Sequence, residues 1–407
     1  MATLAQRRGL QTVPALILLL GASLLLNYVD RGAIGVAAPL MKSDLGLSAT
    51  AFGIAVSAFF WIYAPVQLVL GSLCDRWSVY RMLALGTALW SASTILMGFV
   101  GGFLSLFLLR MVLGVGESII FPGSSKMICR HVPPERRGLA NAVVMTGVAL
   151  GPAVGTLLGG SILATFGWRA MFVVFGMASA LWLIPWSGLV RTLPVPTGAD
   201  RASFPLKKVI GRWSLWAMGV GHATSNYGLY FMLAFLPLFL VQQRGFTILQ
   251  MTMLATLGYA VQAISALAFG AVSDRWARAG GSEPRIRRSM LVVGHLIYGV
   301  AILALFAVHS MPMIALLLCI LGACGGPISV NIYAVAQMFA GERASGTWVG
   351  IQNAVGNVSG IFGPALSGFI IDRMGYGSAF ALAAAISIAG GLWWAFVLPR
   401  IEEITLD

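Results

Sequence analysis

Gly71-Ser72-Leu73-Cys74-Asp75-Arg76-Trp77 and Gly270-Ala271-Val272-Ser273-Asp274-Arg275-Trp276 close two long apolar stretches, one in each half of the chain. Gly, Asp, Arg and Trp hold the same places in both. Self-similarity of this kind marks an internal duplication. The echo continues downstream: Gly155, Gly160, Gly167, Trp168 and Phe172 recur at one offset as Gly363, Gly368, Gly375, Tyr376 and Phe380. Glu135-Arg136 before Gly138 likewise has its counterpart in Glu342-Arg343 before Gly346.

What is duplicated is apolar. With 58% hydrophobic and 10% charged residues and a mean hydropathy of +0.88, the chain has too few polar side chains to solvate a globular surface. It reads as an integral membrane protein. Runs long enough for about 20 residues of helix to cross about 30 Å of hydrocarbon lie near 13–38, 49–71, 80–100, 103–128, 138–163, 170–190, 213–241, 249–271, 288–308, 311–338, 347–370 and 377–398. They are unbroken rather than alternating, which argues for helices over a barrel. The expectation is an all-α membrane protein of twelve transmembrane helices in two pseudo-symmetric six-helix bundles, residues 1–190 and 213–407. Residues 191–212, with Pro194, Pro196, Gly198 and Pro205 among basic residues, form the linker. Duplicated bundles of this kind imply a secondary transporter.

Lys and Arg concentrate in loops that stay cytoplasmic. A cytoplasmic N-terminus places Arg7, Arg8, Arg76, Arg81, Arg130, Arg136, Arg137, Arg191, Arg201, Lys207, Lys208, Arg212, Arg275, Arg278, Arg285, Arg287, Arg288, Arg343 and Arg400 inside and leaves Lys42, Arg169, Arg244 and Arg373 outside. Both termini and the linker are then cytoplasmic, and the net charge of +13 is a topology signal rather than a nucleic-acid footprint. The first run has no small-residue cleavage site before Asn27 and is expected to be retained as a helix. Cys74, Cys129, Cys319 and Cys324 lack zinc-ligand spacing, and neither metal nor disulfide is expected. No phosphate-binding Gly loop, zinc His pair or nucleophile with a base is present, so no enzyme activity, no cofactor and no ATP-driven cycle is expected.

Ionisable residues inside the membrane are costly and usually mark function. Here they are Asp30, Arg31, Arg110 and Glu117, with Lys126 nearer a helix end, all in the first half. Arg110 and Glu117 are seven apart, nearly on one helix face, and the spacing allows two acids and two bases to converge. One reading is a pair of interhelical salt bridges that hold the bundle. The other is anion capture with proton coupling, because buried ion pairs seldom outdo apolar packing in stability and an arginine fork suits a carboxylate.

The second half offers neutral polar residues at helical spacing: Asn226, Tyr227, Tyr230, Tyr259, Gln262, Asn331, Tyr333, Gln337, Gln352, Asn353 and Asn357. Tyr63 and Gln67 could join them from the second span. They read as interhelical hydrogen-bond glue or, as a set, as a site for a hydroxylated carboxylate. His222 and His295 read as core or helix-end residues. Gly147, Gly151, Gly155 and Gly159 form a stripe on one face, echoed by Gly356, Gly360, Gly363 and Gly368, with Pro152 and Pro364 nearby. Close helix packing explains the stripes, and a conformational hinge is the alternative. Asp75-Arg76 and Asp274-Arg275 are read as gating pairs that hold the cytoplasmic side shut in one state.

The whole chain resembles the major facilitator superfamily, and its first half resembles the anion:cation symporter branch. The resemblance is carried by Asn27-Tyr28-Val29-Asp30-Arg31, by Arg110, Gly114, Gly116, Glu117, Phe121-Pro122 and Lys126, by Pro133, Glu135-Arg136 and Gly138, and by Gly167-Trp168-Arg169 through Phe172. His131-Val132 stands where the branch usually has Trp-Phe. The resemblance implies that Arg31 and Arg110 bind the substrate carboxylate and that Asp30 and Glu117 carry the protons. The expected function is proton-coupled import of a small organic anion, a sugar acid or related carboxylate, by a multi-pass protein of a bacterial inner membrane acting as a monomer. A proton-coupled drug or metabolite antiporter is the alternative, supported by Gly138, Gly147, Gly151, Pro152 and Gly155, although Thr156 departs from the antiporter motif and Arg31 adds a cation ill suited to cationic drugs.

Overall fold

The computed structural model describes residues 4–132, 137–193 and 209–402. Every regular element among the described residues is helical. In chain order these are α1 (Leu4–Asp44), α2 (Ala49–Arg76), α3 (Val79–Met97), α4 (Phe103–Glu117), α5 (Ile120–His131), α6 (Arg137–Leu181), α7 (Leu183–Val190), α8 (Trp213–Leu238), α9 (Ile248–Arg278), α10 (Glu283–Ala307), α11 (Met311–Gly356) and α12 (Val358–Leu392). Among the described residues, nine stretches are long and apolar enough to cross a membrane. Large apolar side chains face outward: Leu85, Phe99, Leu267 and Phe396 are 70–81% exposed. Such a surface suits lipid rather than water.

Two of those stretches, Val143–Val190 and Trp348–Val397, run to 48 and 50 residues, more than twice the roughly 20 that one crossing needs. Each is broken by a glycine at the same backbone conformation, Gly167 at φ 80°, ψ 172° and Gly375 at φ 80°, ψ 172°. This is a left-handed region that a side chain disfavours, so glycine at both positions is a backbone requirement. The aromatic residues that follow are anchored alike. Trp168 Nε1 donates to Asp44 Oδ2 at the end of α1 (2.8 Å), and the Tyr376 hydroxyl donates to Gln242 Oε1 just past α8 (3.1 Å). The duplication seen in the sequence is thus a duplication of backbone conformation and of anchoring contact.

The chain forms two compact units, Met1–Leu45 with Ala58–Ala202, and Gly46–Ser57 with Ser203–Asp407. In the first unit the glycine stripe lays α6 on α1. A Cβ at Gly147 would stand 2.6 Å from the Gly21 carbonyl oxygen, and one at Gly155 2.9 Å from Val29 Cα. In the second unit Gly356 and Gly363 of the matching stripe pack on His222 and Tyr227 of α8. Close helix packing therefore accounts for these glycines.

The first turns of α2 pack within the second unit, against α12. Ala49 N and Thr50 N donate to the two carboxylate oxygens of Asp372 (2.9 and 2.6 Å), and Ala365 N donates to Ser57 Oγ (3.2 Å). A Cβ at Gly53 would overlap the Pro364 carbonyl, and one at Gly368 the Ala49 carbonyl. Asp372 thus serves as an N-cap supplied from elsewhere in the chain, meeting orphan donors at the positive end of a helix. Asp372→Ala removes a cap of about 1 kcal/mol, and hydrogen–deuterium exchange at Ala49 and Thr50 should rise several-fold while exchange in α10 stays unchanged. Unaltered exchange at those two amides would rule out the capping role.

Candidate functional site

Consecutive residues on a helix point about 100° apart, and this separates Asp30 from Arg31. Arg31 turns toward α4 and α2. Its Nε donates to Glu117 Oε2 at 2.8 Å, with the two side chains 8% and 0% exposed. Its guanidinium carbon lies 4.6 Å from the Tyr63 ring centre and 5.0 Å from those of Tyr28 and Phe59. Arg110, also buried, places its guanidinium carbon 5.0 Å from the same Phe59 ring. One aromatic ring therefore sits beside both arginines, and cation–π attraction strengthens when both partners are desolvated. Phe59 reaches α4 because Gly114 lets the backbones approach: a Cβ there would overlap the Phe59 carbonyl.

Glu117 is the last residue of α4, and Ser118 and Ile119, which join it to α5, keep right-handed helical dihedrals, so the carboxylate lies within a nearly continuous helical run. Asp30 points elsewhere. Its Oδ2 accepts Trp90 Nε1 of α3 (2.9 Å) and Ser179 Oγ of α6 (3.0 Å), and it forms no ion pair among the described residues. The two acids and two bases of the sequence are thus not joined by one set of ion pairs, although Glu117 acts electrostatically on Asp30. Arg31 and Arg110 flank Phe59, with Glu117 bonded to Arg31, while Asp30 is held by neutral donors.

The polar residues of the second half form linked pairs. Tyr227 OH meets Ser367 Oγ (2.9 Å), Tyr230 OH donates to Asn357 Oδ1 (2.6 Å), and Tyr333 OH donates to Asn353 Oδ1 (3.4 Å). Asn357 Nδ2 donates to the Asn353 carbonyl (2.9 Å). Asn331 donates to the Pro327 carbonyl (2.8 Å) and accepts from Arg287 (3.3 Å), itself paired with Glu283 at 2.8 Å. Asn226 is buried and Gln262 half-buried, the latter beside Gly325. In the first half Gln67 Nε2 donates to Tyr63 OH (3.4 Å).

The side chains of Asp75, Arg76 and Asp274 lie outside the described residues, as does that of Gln337; Arg275 is exposed. His131, where the family pattern differs, lies 2.7 Å from the Tyr80 hydroxyl, and burial together with Arg130 holds its imidazole below the usual range. Phe59, Trp90 and Ser179 are the participants that residue type alone did not single out.

Removing one partner of a buried ion pair leaves an uncompensated charge, at a cost on the order of 3 kcal/mol. Arg31→Ala should therefore lower the thermal midpoint of the purified protein, and adding Glu117→Gln to it should restore most of the loss, a coupling readable as a double-mutant cycle. Additive effects of the two substitutions would mean that the pair contributes nothing as a pair.

The sequence pattern of the Major Facilitator Superfamily matches residues 20–282 and 283–405. The chain is 28% identical over 393 residues to the Hexuronate transporter of Bacillus subtilis (strain 168), spanning 92% of each chain. It is 26% identical over 400 residues to the Ascorbate transporter, chloroplastic, of Arabidopsis thaliana, spanning 93% of this chain and 73% of the relative. In fold it is similar to a bacterial homolog of the human lysosomal transporter Spinster, with a TM-score of 0.78 at 19% identity and 95% of each chain covered. With both halves of the duplication inside the matched segments, the chain belongs to the Major Facilitator Superfamily and is a multi-pass membrane transporter.

Proposed function

We propose that this protein is a proton-coupled symporter that imports a small organic anion, a sugar acid or related hydroxylated carboxylate, by alternating access. Twelve transmembrane helices follow if the 48- and 50-residue stretches each cross twice, at Gly167 and Gly375, and α3 crosses once. Cytoplasmic termini, a bacterial inner membrane and a monomeric unit complete the reading. Transporters named for hexuronate and ascorbate among the relatives support an organic anion as cargo.

The observation that carries the proposal is the Arg31–Glu117 ion pair, buried beside Arg110 on one aromatic ring. Glu117 is an internal carboxylate that occupies the arginine an incoming carboxylate would need. A proton on Glu117 cancels its charge, and Arg31 is then left to pair with the substrate carboxylate, Arg110 adding a second cation. Anion and proton arrive together, so the local charge is the same before and after loading. On the other side the anion departs, the proton leaves Glu117, and the ion pair re-forms. A substrate lacking its own proton supply would have to displace a charged hydrogen-bonded partner in a dry site, where such pairs are hard to break.

In this reading Asp30 is a second proton carrier. Tyr63, Gln67, Asn226, Tyr227, Gln262, Asn331, Asn353 and Asn357 contribute to recognition of hydroxyl groups, and Asp75, Arg76, Asp274 and Arg275 gate the cytoplasmic side. Asn226 and Gln262 are the strongest candidates of the polar set, because the amides of Asn331 and Asn357 already serve neighbouring groups.

Glu117→Gln separates coupling from binding. Reconstituted with glucuronate as the first probe in a set of small carboxylates, it should keep counterflow near the wild-type rate and lose pH-driven accumulation by at least tenfold. Full pH-driven accumulation in that variant would remove Glu117 from the proton path. Loss of both activities would make it a structural or substrate-binding residue instead.

A further inference from the structure

Asp30 is buried at 1% exposure between three helices, and its two oxygens have different surroundings. Oδ2 accepts the indole N–H of Trp90 from α3 and the hydroxyl of Ser179 from α6. Oδ1 is buried without a hydrogen bond of good geometry among the described residues, although the Thr94 hydroxyl of α3 also faces the carboxyl. Trp90 and Ser179 are themselves fully buried. Their helices are pressed together one turn from Ser179, since a Cβ at Gly176 would stand 2.7 Å from Ile95 N and 2.8 Å from the Ser91 carbonyl oxygen. Both donors are therefore fixed by backbone packing.

An indole N–H can only donate, and both a carboxylate and a neutral carboxyl can accept it provided the oxygen it meets stays an acceptor, the carboxylate more strongly. Collecting both donors on Oδ2 meets that condition, because Oδ2 can be the carbonyl oxygen of the acid while the proton sits on Oδ1. A charged carboxyl with one bare oxygen is poorly compensated in a dry interior, whereas the neutral acid leaves only a hydroxyl there. The same contacts accommodate both protonation states without a rotamer change. The ionisable group acting on Asp30 is Glu117 of α4, which is paired with Arg31 and next to Arg110; α3 and α6 present neutral donors.

We propose that Trp90 and Ser179 are positioning residues for the Asp30 carboxyl, fixing which oxygen carries the proton and the pH at which it leaves. The inference rests on the reading of Asp30 as a coupling carboxyl. Hydrogen bonds to a carboxylate favour its charged form, so losing either donor makes Asp30 keep its proton to higher pH. Packing alone predicts no such shift.

The test is pH-dependent infrared difference spectroscopy of the full chain in lipid, with the Asp30 carboxyl band identified by its loss in Asp30→Asn. Trp90→Phe keeps the ring but drops the donor, and Ser179→Ala drops the hydroxyl. Each should move the midpoint of that band upward by about one pH unit, and Ser179→Thr, which restores a hydroxyl, should return it to the wild-type value. A titrating band whose midpoint is the same in wild type, Trp90→Phe and Ser179→Ala would overturn the positioning role alone. An Asp30 band that does not titrate in the wild type would overturn Asp30 as a coupling group, and the positioning role with it.

Discussion

The contact on which the candidate site depends is the Arg31–Glu117 ion pair, accompanied among the described residues by the buried Asp30, Arg110 and Arg287. Burying two opposite charges gains little stability over apolar packing, and in a membrane each charge alone would cost several kcal/mol. Three aromatic rings around the Arg31 guanidinium, Tyr28, Phe59 and Tyr63, exclude water and supply cation–π attraction. An arrangement so costly to assemble from apolar spans fits an exchangeable partner better than a fixed brace. The proposed cycle uses that exchangeability, with substrate carboxylate and Glu117 alternating at one arginine.

Such a site needs helices close enough for rings and charges to meet, and lipid supplies no hydrophobic drive between helices. Glycine supplies the proximity. Gly114 brings α4 to the backbone of α2 at Phe59, Gly116 brings it to α3 at Trp90, Gly176 brings α6 to α3, and Gly147, Gly151 and Gly155 lay α6 along α1. Each is a place where a Cβ would strike backbone, so the polar layer and the small-residue packing are one construction. Asp372, Gly368 and Gly53 do the same work where the first turns of α2 meet α12.

The duplication, the helical class and four of the buried charges were legible in the sequence because each leaves a pattern in residue type; the buried Arg287 of α10, expected among the cytoplasmic basic residues, was not. Gly167 and Gly375 are the clearest case, a shared offset that proved to be a shared backbone conformation. Pairing was less legible. Asp30 and Arg31 are neighbours in the chain, and the 100° turn between them sends one toward Trp90 and Ser179 and the other toward Glu117. That turn was in principle readable and argues against Asp30 pairing with the arginine that Glu117 holds. Phe59, Trp90 and Ser179 carried no signal of their own, since aromatic and hydroxyl residues abound in apolar spans and only tertiary packing selects among them. The polar set of the second half was recognisable, but which amides are already engaged depends on partners such as Arg287 of α10 and Tyr230 of α8.

The central claim is that anion and proton cross together. The direct measurement is the lumenal pH of liposomes containing the purified wild-type protein and a trapped pH indicator, with a small hydroxylated carboxylate such as glucuronate added outside, no pH gradient imposed and the membrane potential clamped. The account predicts that the lumen acidifies as labelled anion enters, in fixed proportion to it, with no acidification when the anion is omitted. Anion entry with an unchanged or rising lumenal pH would contradict it.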